Sequence, residues 1–470
     1  MDGTGVHREA AGSGMRSLAD RLRADWPLVL WALSNVAIAV LALVWPLWPS
    51  TRGYVASTLD WWTGEPVYTV GPHGFLHFPA AAVLFGPFAL LPPMVADQTW
   101  RLLSVLVFTL AAYRAARLIR PDAGERVAPY VLLLAFPAAS IDILRGQWEL
   151  MTFAVLLHAT VDIALGHNAR GGLLLALAVA LKPTALVPAL LFGALRWNLL
   201  PWLLPGLAAV FLGPFLHGDP AYVARQYAAM AEALRVAAGS DGPWLDATAL
   251  LRRLGLTPAY ASMTAVRVIA AIATLWAGVQ AYRRLDRPTA ALVVLMLAVT
   301  GLLLFGPHTG EEAYVGLATL AGLAAFAEVA RRPLAALPVL LGALALALGT
   351  HLYGDWLHRP MHGWLKPTLA LAFYGYAAML IATGRSIVDP PPEPMHVHTW
   401  LPNRVALVVC LALPPAFGIY RLVTAASLPN RLTGFTTTDF LILVVVLNVV
   451  AFALVTASGP ILAWMRGRRS

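Results

Sequence analysis

WPLVLWALSNVAIAVLALVWP, residues 26–46, carries no charged side chain over a length that matches a lipid bilayer. At a rise of about 1.5 Å per residue, about twenty helical residues cross a hydrocarbon core of about 30 Å. The stretch is too long for the apolar core of a secretory signal, and Arg16, Arg21 and Arg23 precede it without a small-residue cleavage site. It reads as a first transmembrane helix. Similar blocks recur along the chain, which is 59% hydrophobic and 12% charged with a mean hydropathy of +0.71, values that exclude water as the main solvent. Backbone groups in lipid must pair within the segment, and blocks of this length select helices over the alternating strands of a barrel.

The expected fold is therefore all-α, a polytopic transmembrane helical bundle of about 12–14 helices. Spans are expected near 26–46, 98–118, 127–142, 148–166, 170–182, 184–196, 199–216, 260–282, 289–305, 312–330, 333–352, 366–384, 403–423 and 438–463. The pair on either side of Lys182-Pro183 is short and suits a shallow or tilted hairpin. Leu76 to Ala96, with Pro79, Pro87, Pro92 and Pro93, reads as a broken element rather than a full span. Arginine clusters at Arg16/Arg21/Arg23, Arg114/Arg117/Arg120/Arg126, Arg283/Arg284/Arg287, Arg331/Arg332 and Arg466/Arg468/Arg469 then orient the chain with both termini cytoplasmic. The same topology accounts for the formal charge of +9 without a nucleic-acid partner.

The chain divides into a cytoplasmic tail (1–25), a transmembrane domain (26–384), a Pro-rich cytoplasmic linker (385–402) and a C-terminal transmembrane hairpin with a basic tail (403–470). Two outer segments are long enough to fold, 46–78 and 217–257. In the second, Val223, Tyr227, Met230 and Leu234 recur at helical spacing opposite Arg225, Gln226, Glu232 and Arg235, the pattern of a helix lying in the interface.

Acids and histidines gather on the outer loops: Asp60, Glu65, His73 and His77, then Asp142, Arg145, Gln147 and Glu149, then Lys182, His308, Glu311, Glu312, His351, His358 and His362. This mixture points to an outward polar cavity, although solvated loops have the same composition. Lysine occurs only at Lys182 and Lys366, in a chain whose other strong bases are all arginine. A compact ammonium at the membrane surface suits a phosphate, and Pro183 breaks the helix beside it; a snorkelling side chain is the alternative, and suits Lys366 better. His358 and His362 flank Pro360, which argues against a shared helical face for a metal. No cofactor or metal is expected. The single cysteine, Cys410, excludes an internal disulfide framework, and no Asp-x-Asp, Walker or dinucleotide motif supports a soluble nucleotide substrate.

In order along the chain stand Gly64-x-x-x-Tyr68, Phe78-Pro79, Gly146-Gln147, Lys182-Pro183 and Pro307-x-Thr309. The series resembles glycosyltransferase family 87, polyprenol-phosphate-mannose-dependent mannosyltransferases of the GT-C class. The resemblance implies a cell-membrane enzyme that moves a sugar, mannose in this family, from a polyprenyl-phosphate carrier to a lipid-linked or glycan acceptor at the outer face. It assigns donor-phosphate binding to Lys182, Arg145 and Gln147, and substrate contacts to Trp61, Tyr68, Glu149 and His308, although aromatics at this depth also form interfacial belts. Three departures are evident: Glu312 stands where the family's late motif often carries a histidine, Glu149 where its Gly-Gln motif usually continues to asparagine, and a carboxylate is missing. The aspartate that the family places four residues before a tyrosine is Ser50 here, ahead of Tyr54. Asp60 and Glu312 are the replacement carboxylates. A relative that binds or moves a lipid carrier without catalysis is the alternative. A secondary transporter would want mid-span charges, for which only His158 and Asp162 qualify.

Overall fold

The computed structural model describes residues 26–44, 50–68, 74–239, 244–256, 260–306, 309–331, 336–353, 358 and 360–388. The tail 1–25, most of the linker, the hairpin 403–470, Cys410, His73 and His308 lie outside the described residues. The described chain is helical, without a strand. Seven helices are long and apolar enough to cross a membrane, and five shorter apolar helices accompany them. The protein is a polytopic membrane bundle.

Helix α1 covers Trp26–Val44, α2 Ser50–Thr63, α3 Pro79–Ala89 and α4 Pro93–Ile119. The prolines of Leu76–Ala96 thus yield a short helix and a new start, as expected. The outer segment expected at 46–78 contains helix α2. Next come α5 (Gly124–Arg145), α6 (Glu149–Leu165), α7 (Asn168–Leu181), α8 (Leu186–Leu195), α9 (Leu200–Leu212), α10 (Pro220–Gly239) and α11 (Ala247–Arg253). The series ends with α12 (Tyr260–Arg284), α13 (Arg287–Phe305), α14 (Val315–Arg331), α15 (Ala336–Ala347) and α16 (Leu365–Thr383).

Helices α6 and α13 are the centre of the bundle, buried along nearly their whole length. They pack on each other, α6 also on α4 and α7, and α13 on α12 and α16. On the far side α5 joins α1, α4 and α14. Helix α12 turns Ile269, Ile272 and Trp276 outward, the face expected toward lipid. Between α7 and α9 small residues let backbones meet: a Cβ on Gly206 would stand 2.6 Å from that of Ala176, and one on Gly172 would touch the Leu199 carbonyl at 3.0 Å.

The helices run between two ends. One holds Asp97, Arg145, Glu149, Lys182, Glu312 and Lys366. The other holds Arg114, Asp162, His167 and Asp286, where Arg114 and Arg170 pair with Asp162 at 2.7 and 3.1 Å. His158 and Asp162, the transporter candidates, belong to this second cluster. Helices α7 and α8 are a short apolar pair, as expected: α7 starts beside Asp162, and α8 stops at Arg196, whose guanidinium stacks over Tyr282 toward the same end. Helix α10 buries Val223 and Met230 against the first loop as its stripe predicts. Gln226, expected on its polar face, also turns inward and accepts the Val67 N–H at 3.1 Å.

Candidate functional site

The site begins at the end of α5. Gly146 takes φ +64°, a left-handed cap, and its N–H donates to the Ile143 carbonyl while Gln147 donates to that of Asp142. A side chain there would meet Thr51 at 3.0 Å and Asp97 at 3.3 Å, so this glycine is required twice over. The last carbonyls of α5, at Ile143 and Leu144, accept from the Arg101 guanidinium. Asp97 holds that guanidinium at 2.8 Å and itself accepts from the Thr51 hydroxyl. Trp100 donates to the Gly146 carbonyl at 3.1 Å. Beneath the turn, Trp148 is sealed among Trp100, His77, Tyr54 and Phe85.

The break at Lys182 completes the wall. A residue before proline avoids the helical region, and Lys182 is extended at φ −148°, ψ 129°. The break frees the Leu181 carbonyl, which pairs with His77 Nδ1 at 2.8 Å. That contact makes the Nδ1–H tautomer the donor, and burial pushes the His77 imidazole down to about 3.

These two turns bring Asp142, Arg145, Glu149 and Lys182 together, and the turn after α13 adds Glu312. Lys182 donates to Glu149. Arg145 lies 3.9 Å from Glu312, and Asp142 and Glu312 both act on Lys182 and on Tyr54. Asp142 is 1% exposed, and among the described residues it forms no ion pair. The Tyr54 phenol contacts Ser50, and burial raises it well above the ordinary range. Beside this group Glu311 faces His351, His358, His362 and Lys366 at 3.3–3.9 Å. Burial, with Lys366 next to it, holds His351 down at about 4.

Of the residues expected from sequence, Arg145, Gln147, Glu149, Lys182 and Glu312 share this end. Asp60 does not join them: its neighbours are Glu65 and Tyr222, on the side of α10. Trp61 is wholly buried against His217 and Tyr222, and Tyr68 donates to the His77 carbonyl at 2.8 Å, so both are packing residues and offer no open ring to a sugar. Lys366 does not snorkel. It is 4% exposed, with Nζ 3.9 Å from Glu311 and 5.7 Å from the Tyr314 ring. Pro360 does not separate His358 from His362 either, because the His362 N–H donates to the His358 carbonyl at 2.8 Å across one helical turn. Proline in a first turn gives up an N–H that has no partner there anyway. Sequence reading missed the part played by Asp142 and Glu311; an acid closing an apolar run three residues before Arg145 was the available signal.

An apolar cavity of about 480 Å³ opens between α8, α12 and α13. It is lined by α8 from Val187, five residues after Lys182, by α13 up to Phe305-Gly306, and by α12. Arg267 is the charged residue in its lining, and its Nε is buried without a hydrogen bond.

Among curated proteins nothing matches the chain. Residues 75–307, which carry Asp142, Glu149, Lys182 and the whole cavity lining, match the family model described as Glycosyltransferase family 87. That match is to the family whose motifs the sequence carries, and it indicates a membrane glycosyltransferase.

Proposed function

We propose that this chain is a GT-C-type transferase that moves a hexose, mannose by family habit, from a polyprenyl-phosphate carrier to a lipid-linked or glycan acceptor at the outer face of the cell membrane. The observation that carries the reading is the gathering of Asp142, Arg145, Glu149, Lys182 and Glu312 at one helix end, with an apolar cavity whose lining begins five residues after Lys182; a donor with a greasy tail and a charged head uses both. The tail lies along α8 and α13, and the phosphate meets Arg267, Lys182 and Arg145. The acceptor hydroxyl attacks the anomeric carbon, the bond from that carbon to the phosphate oxygen breaks, and the electron pair leaves on polyprenyl phosphate. Glu312, reachable and next to Arg145, takes the acceptor's proton. Asp142, one layer behind, supports the positive charge that develops at the anomeric carbon.

Purified protein in liposomes with labelled polyprenyl-phosphate mannose and extracted membrane acceptors tests this. Glu312→Gln lowers transfer by about 10²–10³-fold in this scheme, and wild-type rates in that variant would remove Glu312 from the reaction. Ser50 at the family's aspartate position favours a second reading, in which the chain binds the carrier without turning it over. Stable retention of labelled carrier with no transfer by the wild type would select that reading.

A further inference from the structure

Glu311, His358 and His362 meet from two segments that are distant in sequence. One carboxylate oxygen and two ring nitrogens lie within 4.8 Å of one another. Glu311 Oε1 stands 3.3 Å from His358 Nε2 and 3.6 Å from His362 Nδ1. Oε1 is buried and completes no hydrogen bond among the described residues. His351 and Lys366 approach the other oxygen, Oε2, at 3.6 and 3.9 Å, which leaves Oε1 to the two imidazoles. The His358 Nδ1 lies 3.3 Å from the Thr350 hydroxyl, an outer partner able to accept a hydrogen bond from Nδ1–H and so leave the Nε2 lone pair toward Glu311.

Lone pairs then face one another across gaps too long for charge-assisted hydrogen bonds, which run at about 2.7–2.9 Å. The two gaps to Glu311 Oε1 match the ligand spacing around a metal, and the two ring nitrogens lie within 4.8 Å of each other. Ligands about 2.0–2.1 Å from a tetrahedral zinc stand roughly 3.3–3.5 Å apart along the tetrahedron's edges. Two imidazoles and one carboxylate form the donor set of an open zinc site, and softer nitrogen ligands select zinc over magnesium. His362, about one-third exposed, leaves the fourth position accessible.

We propose that Glu311, His358 and His362 bind one zinc-type divalent cation, which clips the segment before α16 to the turn that carries Glu312. This does not depend on the sugar, the acceptor or the transfer reaction. The test uses the full chain in detergent, stripped with a chelator and titrated with zinc chloride against a chromophoric competitor, with bound metal counted by mass spectrometry. About one equivalent of zinc is expected, with a raised melting temperature and at least ~100-fold preference over magnesium. His358→Ala, His362→Ala and Glu311→Gln each weaken zinc by ~10-fold or more, whereas His167→Ala, at the other end of the bundle, leaves it unchanged. Wild-type protein that takes up no zinc at micromolar free metal and shows no thermal shift overturns the proposal, and this result needs no variant to fold. Unchanged zinc affinity in both histidine variants, or equal magnesium binding, overturns it as well.

Discussion

Asp142 and Asp162 stand at opposite ends of the bundle, each 1% exposed, and there the likeness stops. Asp162 is held by Arg114 at 2.7 Å, Arg170 at 3.1 Å and His167 at 3.3 Å. Asp142 forms no ion pair among the described residues; the Leu150 backbone and the more distant charges of Lys182 and Arg101 are what face it. Around Asp162 the helix ends are closed: Asp286 caps α13, accepting the Thr289 N–H at 3.0 Å, and Arg287 donates to the Ile163 carbonyl at 2.9 Å. Around Asp142 the backbone is equally well capped by Arg101, and Glu149 is paired with Lys182, but among the described residues Glu312 has only Arg145 at 3.9 Å and Asp142 has no ion-pair partner. A buried carboxylate without an ion-pair partner costs several kcal/mol, which a merely structural position would not carry. Equal burial with unequal satisfaction separates an end built to hold the bundle from an end built to receive a ligand.

The comparison breaks most directly at the two aspartates. Asp142→Asn lowers transfer by about 10³-fold while the melting temperature holds or rises, since an unpaired carboxylate is removed. Asp162→Asn removes the buried charge that Arg114 and Arg170 face and costs about 3–5 kcal/mol of stability, read as a lowered thermal midpoint. Matching melting curves for the two variants would dissolve the distinction. Next in size is Gly146→Ala, expected to cost about 1–3 kcal/mol because it forces a left-handed residue against Thr51 and Asp97. It lowers the midpoint and the transfer rate together.

His77 sharpens the contrast through pH. Its folded value near 3 lies below the ordinary value of 6.5, so the folded state disfavours the proton. The stability it supports is fully present above pH 6.5 and is lost as pH falls toward 3. Melting scans from pH 7 to about 4 should show a steeper acid loss in the wild type than in His77→Phe. The smallest effect belongs to Asp60→Asn, with transfer within about threefold of wild type, the range of an exposed substitution. A loss like that of Asp142→Asn would return Asp60 to the chemistry.

Most spans were legible because an apolar run of fixed length has one stable form in lipid; α4 to α9 and α12 to α16 fall within a few residues of their expected bounds. Helix α2 was hidden because Gly53 and the cluster Asp60-Trp61-Trp62 look like a loop until Trp61 finds His217 and Tyr222 to pack on. The site was legible in its local pieces, Gly146-Gln147 and Lys182-Pro183, whose backbone chemistry is written in the residues themselves. What sequence could not supply was distance. Nothing in a linear reading says that Glu312 returns to Arg145, or that Glu311 lies between His358 and Lys366, because those meetings depend on how α5, α13 and α16 are stacked.

Helices α7 and α8 carry one more consequence. Fourteen residues of α7 reach about 21 Å, and the ten of α8 with its preceding turn reach no farther, against a hydrocarbon layer of about 30 Å. Lys182 therefore sits at a dent in the bilayer, where neighbouring lipids must shorten or tilt to meet the protein. Lipid chain length thereby becomes a tuning variable. Short-chain bilayers match the dent and bring headgroups level with Lys182, whereas thick ones leave it below the surface, so the rate measured in vesicles should track acyl length even though the bilayer phospholipids take no part in the chemistry.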